Sequence, residues 1–180
     1  MFDNLFLNGE IPENIVKGSY IPSLVLLSYI IASFGSYTGL SMASDMYQAK
    51  TSNQKNLLHI GGAFALGAGI WSMHFIGMLA YHMDMVHSYD PFLTIISMFI
   101  AIAVAYCALG VTRAARFRFL PVAVGAVLLG FAICAMHYAG MLAMEMQADL
   151  YYLPKLFILS VGIAIAASAA TGAQIMYIGT

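Results

Sequence analysis

Five apolar stretches, roughly 20–44, 57–81, 92–112, 120–144 and 155–178, dominate this chain. Each approaches or exceeds the roughly 20 residues that an α-helix needs to cross about 30 Å of hydrocarbon. Lipid offers a backbone no hydrogen bonds, so a spanning segment is either a helix or a strand of a closed barrel. These stretches are too long for barrel strands and show no apolar/polar alternation. The prediction is an all-α integral membrane protein, a bundle of about five transmembrane helices. Composition agrees, since 62% apolar and 8% charged residues, with a mean hydropathy of +0.85, leave too few polar side chains to cover a soluble surface.

Loop charge sets the orientation. Lys50 and Lys55 lie in the 45–56 connection and Arg113, Arg116 and Arg118 in the 112–119 connection, whereas 1–19, 82–91 and 145–154 are mostly acidic. Basic loops face the cytoplasm, which puts the amino terminus and the ends of helices 2 and 4 outside. Residues 1–19 read as an external arm on the bilayer surface. The stretch "MFDNLFLNGE" lacks the basic region and long apolar core of a signal peptide. A formal net charge of −1 and short basic loops give no argument for nucleic acid. Cys107 and Cys134 fall inside predicted helices and read as small apolar packers rather than a disulfide.

The chain repeats itself. A shift of 63 residues aligns 67–83 with 130–146 and matches Gly67, Ile70, Met73, His74, Gly77, Met78, Leu79, Ala80 and Met83 with their counterparts. Pro91 falls on Pro154, each at the mouth of the next helix, and "LSYIIA", "ISMFIA" and "LSVGIA" echo one another at 27–32, 96–101 and 159–164. The unit is a helix pair, present twice and followed by the first helix of a third. If the register continued, the next Met-His would fall at about position 200, so the expectation for residues 20–180 is a bundle short of the last helix or helices of a full domain. Gly35 and Gly39, and Gly61, Ala65 and Gly69, form small-residue steps for close helix packing.

Residues four apart share a helix face, so His74 is expected beside Met78 and His82, and His137 beside Met141 and Glu145. Met73 and Met136 lie about 100° around the helix from the adjoining His. Each segment thus offers imidazole and thioether about two turns inside the outer boundary, where an unpartnered polar ring is costly. Copper fits these donors best, because Cu(I) accepts thioether sulfur and imidazole suits both copper states. His82, Met83, Met85, His87 and Met144 would supply further ligands or an entry site. Packing alone is the plainer use of Met. Against it, eight of the 13 methionines (Met73, Met78, Met83, Met85, Met136, Met141, Met144 and Met146) cluster in two short outward segments. Tyr37, Thr38 and Tyr138 are candidates to hydrogen-bond a ligand or its bound gas. His59, near the inner boundary, reads as a core histidine bonded to a neighbouring carbonyl or hydroxyl. No nucleophile–base set, phosphate loop or carboxylate pair supports an enzyme.

"SYTGL", "WSMHFIGMLAY" and "AMHYAGMLAM", in that order over nearly the whole chain, resemble the MHYT family of bacterial integral-membrane sensor domains. The resemblance implies a multi-pass protein of the bacterial inner membrane that acts as an input module for cytoplasmic signalling domains, often those that make or degrade cyclic di-GMP. It also implies copper near the outer face, held by Met73, His74, Met78, Met136, His137 and Met141, and sensing of O2, NO or CO. The tetrad itself is not spelled in either copy, which read Met-His-Phe-Ile and Met-His-Tyr-Ala, so no role follows for its Thr hydroxyl. Other readings of the residues stand beside copper sensing: His74 and His137 as axial ligands of a b-type haem, copper handling and delivery, or packing without a cofactor. A homodimer and a cytoplasmic signalling partner are the protein contacts these readings allow.

Overall fold

The computed structural model describes residues 18–83, 87–115, 119–146 and 151–178. Within them the chain runs β1 (Gly18–Tyr20), α1 (Pro22–Gln48), α2 (Ser52–Leu79), β2 (Tyr81–Met83), β3 (His87–Tyr89), α3 (Pro91–Ala115), α4 (Phe119–Leu142), β4 (Met144–Met146) and α5 (Pro154–Ile178). Helices α1, α3 and α5 each open on a proline, whose fixed φ suits the first helical position and whose missing N–H costs nothing there. Four helices are long and apolar enough to cross a bilayer, and α5 is apolar over Pro154–Ala170. The chain is a multi-pass membrane protein built as a helical bundle, as expected.

The helix limits differ from expectation on both sides of the α1–α2 turn. Helix α2 starts at Ser52, within the polar run Ser-Asn-Gln-Lys, because the Thr51 hydroxyl caps it by accepting from the Gln54 N–H at 3.2 Å. Helix α1 carries on past Asp45 to Gln48.

Consecutive helices pack side by side from α1 to α5, and α2 also approaches α4 and α1 approaches α5. The repeat is visible in these contacts. A β-carbon on Gly67 would stand 2.5 Å from Ile102 Cα, and one on Gly130 would stand 2.7 Å from Ile165 Cα. The second pair is the first shifted by 63 residues, so each core helix crosses the next helix at the same point, through a glycine that lets the backbones touch. Around the first crossing lie Ala43, Ala63, Leu66, Ala105 and Leu109, a buried apolar cluster. His59 donates Nε2–H to the Tyr106 carbonyl at 2.9 Å and stacks flat on that ring, in line with the reading of a satisfied core histidine.

Short antiparallel ladders close the end of the bundle opposite the α1–α2 turn, a feature the apolar pattern did not reveal. Strand β1 pairs with β2 (Gly18 with Met83, Ser19 with His82, Tyr20 with Tyr81) and β3 with β4 (His87 with Met146, Ser88 with Glu145, Tyr89 with Met144). The Ile21 N–H donates to Ala80 O and the Asp90 N–H to Ala143 O, both at 2.8 Å. Each helix hairpin is therefore stitched at its mouth by its own ladder. Of the predicted external arm, only Gly18 and Ser19 are described, and they belong to β1.

The ladders and the α1–α2 turn lie at opposite ends of the bundle. In a Cys107→Ala/Cys134→Ala background, an impermeant maleimide added to intact cells should label Ser19→Cys and Ser88→Cys alike and leave Gln54→Cys unlabelled, or the reverse. Labelling of all three would contradict the fold.

Candidate metal centre

His74 and His137 each lie five residues before the end of their helix, at Leu79 and Leu142. The crossing of α2 and α4 brings them together: Nδ1 faces Nδ1 at 3.1 Å, with ring centroids 4.7 Å apart and planes at 68°. His74 is 8% exposed, and its Nε2 is buried without a hydrogen-bond partner. Leaving such a group unsatisfied costs about 1–3 kcal/mol.

A glycine makes the pairing fit. A β-carbon on Gly140 would stand 2.5 Å from His74 Nε2 and 3.0 Å from its Cδ2. In the sequence the Gly three residues after each His is a shared position of the repeat. Gly140 is the seat of the other repeat's imidazole. The symmetry stops there, because a β-carbon on Gly77 would meet no described atom within 4 Å.

Aromatic rings pack against the pair. Phe75 lies edge-on to His74 at 5.3 Å, and Tyr138 edge-on to His137 at 4.9 Å. Tyr89 of β3 sits over Phe75 at 6.1 Å, and Tyr152 over Tyr138 at 5.1 Å. Burial holds the Tyr89 phenol above its ordinary range, and burial with the neighbouring Tyr138 does the same for Tyr152. Both therefore stay protonated near neutral pH and offer no phenolate.

The other candidates divide. Met136 is wholly buried at 1% exposure, and Met73, Met78 and Met141 are half-buried on the same two helices. His82 does not share the His74 face, because α2 ends at Leu79 and His82 lies exposed on β2; Glu145 is displaced in the same way onto β4, where it accepts from the Ser88 hydroxyl. Met83 and Met144 are half-buried on the ladders, His87 sits on β3, and Met85 lies outside the described residues. Tyr37 and Thr38 do not reach the pair. Tyr37 is 74% exposed, and Gly39 packs on Leu66, eight residues or about 12 Å along α2 from His74. Tyr138 is beside the site, but its hydroxyl bonds Ser160 at 2.8 Å rather than pointing to a ligand.

Among the described residues no three of His, Cys, Asp and Glu gather as a metal site, so an ion here would need sulfur from methionine. The imidazoles fit such an ion. Two nitrogens bound tetrahedrally at about 2.0 Å would be about 3.3 Å apart, close to the 3.1 Å observed. Helix propensity gives Ala about 1 kcal/mol over Gly. Gly77→Ala should therefore raise thermal stability, while Gly140→Ala should lower it by about 1–3 kcal/mol through overpacking. Equal effects in a thermal unfolding series would contradict the seat assigned to Gly140.

The comparisons with known proteins follow the same register. The MHYT family, described as a bacterial signalling protein N-terminal repeat, matches residues 67–125 and 130–178, two segments whose starts are one repeat apart. Over 89% of its length the chain is 41% identical to the cyclic di-GMP phosphodiesterase NbdA of Pseudomonas aeruginosa, of which it covers 20%. It is 43% identical over 84% of its length to the bifunctional diguanylate cyclase/cyclic di-GMP phosphodiesterase MucR of the same organism, covering 22% of it. To the signalling protein YkoW of Bacillus subtilis it is 34% identical over 83% of its length, covering 18%. The chain thus spans about a fifth of the length of these relatives. No solved structure matches it. With two tandem matches carrying the two paired histidines, and likeness along nearly the whole chain, the protein belongs to the MHYT family of bacterial membrane signalling domains.

Proposed function

We propose that this chain is a sensory input module of the bacterial inner membrane, with its amino terminus outside, that binds copper between His74 and His137. Met73, Met78, Met136 and Met141 are the sulfur donors closest in sequence to the pair. The observation that carries the reading is the half-buried Nδ1 to Nδ1 contact at 3.1 Å between histidines of two different repeats. Two neutral imidazoles satisfy only one bond between them, and His74 Nε2 has none. A cation between the two rings would use the nitrogen lone pairs that the contact leaves without a partner.

Copper would supply a soft centre able to bind O2, NO or CO. The chain's own residues do the rest. Phe75, Tyr89, Tyr138 and Tyr152 wall the pair and keep water from competing for it. The α2–α4 crossing lets the separation of the rings set the relative position of two helices. A ligand that prefers one separation shifts the bundle toward it. The relatives named above are enzymes of cyclic di-GMP turnover that this chain matches over about a fifth of their length, so cyclic di-GMP synthesis or breakdown is the output we assign to a cytoplasmic partner or further domain. The chain itself serves as input and performs no catalysis.

A b-type haem suits the geometry less well, because a macrocycle must slot between the ligating atoms and two nitrogens in contact leave no slot. Elemental analysis and an absorption spectrum on detergent-purified protein test the choice. We expect near-stoichiometric copper without a Soret band, and loss of that copper in His74→Ala/His137→Ala protein that keeps its helical circular dichroism. Full copper in the double variant, or iron with a Soret band in the wild type, would overturn the reading.

A further inference from the structure

The serines echoed in the odd helices have so far been given no role. Ser28, Ser97 and Ser160 each lie six residues after the opening proline of α1, α3 and α5. Each donates its hydroxyl to the carbonyl three residues earlier: Val25 at 2.7 Å, Thr94 at 2.7 Å and Phe157 at 2.8 Å. A serine hydroxyl has one proton, and these bonds use it, so what each presents to its surroundings is acceptor lone pairs.

Two core helices fill that acceptor from different places. Trp71 Nε1–H donates to Ser97 at 3.0 Å, and the Tyr138 hydroxyl meets Ser160 at 2.8 Å. Because the Ser160 proton is engaged with Phe157, Tyr138 is the donor. The two aromatics are not repeat counterparts: a 63-residue shift carries Trp71 onto Cys134 and Tyr138 onto Phe75. In the first unit the residue after the histidine has no hydroxyl, and a tryptophan one turn earlier makes the bond. In the second the residue one turn earlier is a cysteine too short to reach, and the residue after the histidine makes it. The bond has been kept while its donor changed place, which marks the bond as the requirement.

The second solution has a consequence the first lacks. Tyr138 is bonded through the backbone to His137, lies edge-on to its ring, and packs on Phe157 of α5 at 4.8 Å. It therefore touches the histidine on one side and α5 on the other. Any rotation of α4 that reorients His137 carries the Tyr138 hydroxyl with it and pulls on Ser160. Helix α5 runs from this outer end to the opposite end of the bundle.

We propose that Tyr138 is the relay residue of the centre, its hydroxyl bond to Ser160 coupling the state of the histidine pair to α5. The inference rests on the copper reading and adds the route by which binding is felt. It is tested by spin labels on exposed positions, Leu57→Cys at the inner end of α2 and Ala169→Cys on α5, in a Cys107→Ala/Cys134→Ala background, with the interlabel distance measured with and without copper. We expect copper to shift the distance in the otherwise wild-type chain. Tyr138→Phe and Ser160→Ala should keep full copper stoichiometry and lose the shift, and Ser160→Thr, which keeps the hydroxyl, should restore it. Ser168→Ala, which removes a hydroxyl bonded within α5 to Ala164, should leave the shift intact. A shift in Tyr138→Phe equal to that of the wild type would overturn the relay alone. A labelled wild-type chain that takes up no copper would overturn the metal reading and remove the relay's input, and one that binds copper without a shift would overturn the relay.

Discussion

The contact between His74 Nδ1 and His137 Nδ1 is the constraint around which the bundle is arranged. Two imidazoles at membrane depth are expensive, because lipid provides no partner for their nitrogens. Each ring spends one nitrogen on the other, and to do so α2 and α4 must pass closely at this level. Gly140 permits the approach at the ring itself, and Gly67 and Gly130 hold the crossings with α3 and α5 that fix the angles of both helices. The strand ladders then pin the helix mouths five residues beyond the histidines. The stability that packing supplies is partly given up at His74 Nε2, where a buried polar atom has no partner.

Duplication explains how such a pair arises. A helix hairpin carrying one buried histidine has an unsatisfied ring, and a second copy packed against it supplies the complement. Each repeat contributes one imidazole, and neither forms the pair alone. The copies have since diverged where their surroundings differ. Gly140 receives an imidazole while no described atom lies within 4 Å of a β-carbon on Gly77, and Phe75 and Tyr138 occupy matching positions, the first without a hydroxyl and the second with one. The site is thus symmetric in its histidines and asymmetric in its outlets, which suits a module that converts one binding event into movement of one helix.

Much of this was legible in the sequence, because lipid leaves the backbone few choices. Apolar length alone placed the five helices, and the 63-residue register singled out His74 and His137 before any coordinates. What failed did so for local reasons. The face shared by His74, Met78 and His82 assumed that α2 continued, but the chain turns at Ala80 into β2. Tyr37 and Thr38 were drawn toward the site by their motif, although the α1–α2 crossing sets them about 12 Å deeper. Gly140, Ser97 and Ser160 went unassigned because a glycine seat and a serine acceptor depend on which helix lies opposite, and periodicity within one helix does not report that. The serine echo at 27–32, 96–101 and 159–164 was visible, and without the helices opposite it read only as a packing pattern.

The central claim is that the two Nδ1 atoms share one copper ion with thioether sulfur. X-ray absorption at the copper edge of the loaded, membrane-extracted protein tests this most directly. The account predicts two imidazole nitrogens and at least one sulfur in the first shell, with the imidazole scattering lost together when both histidines are replaced. A shell of oxygen and water alone, unchanged by that replacement, would contradict it and return the paired histidines to a packing role.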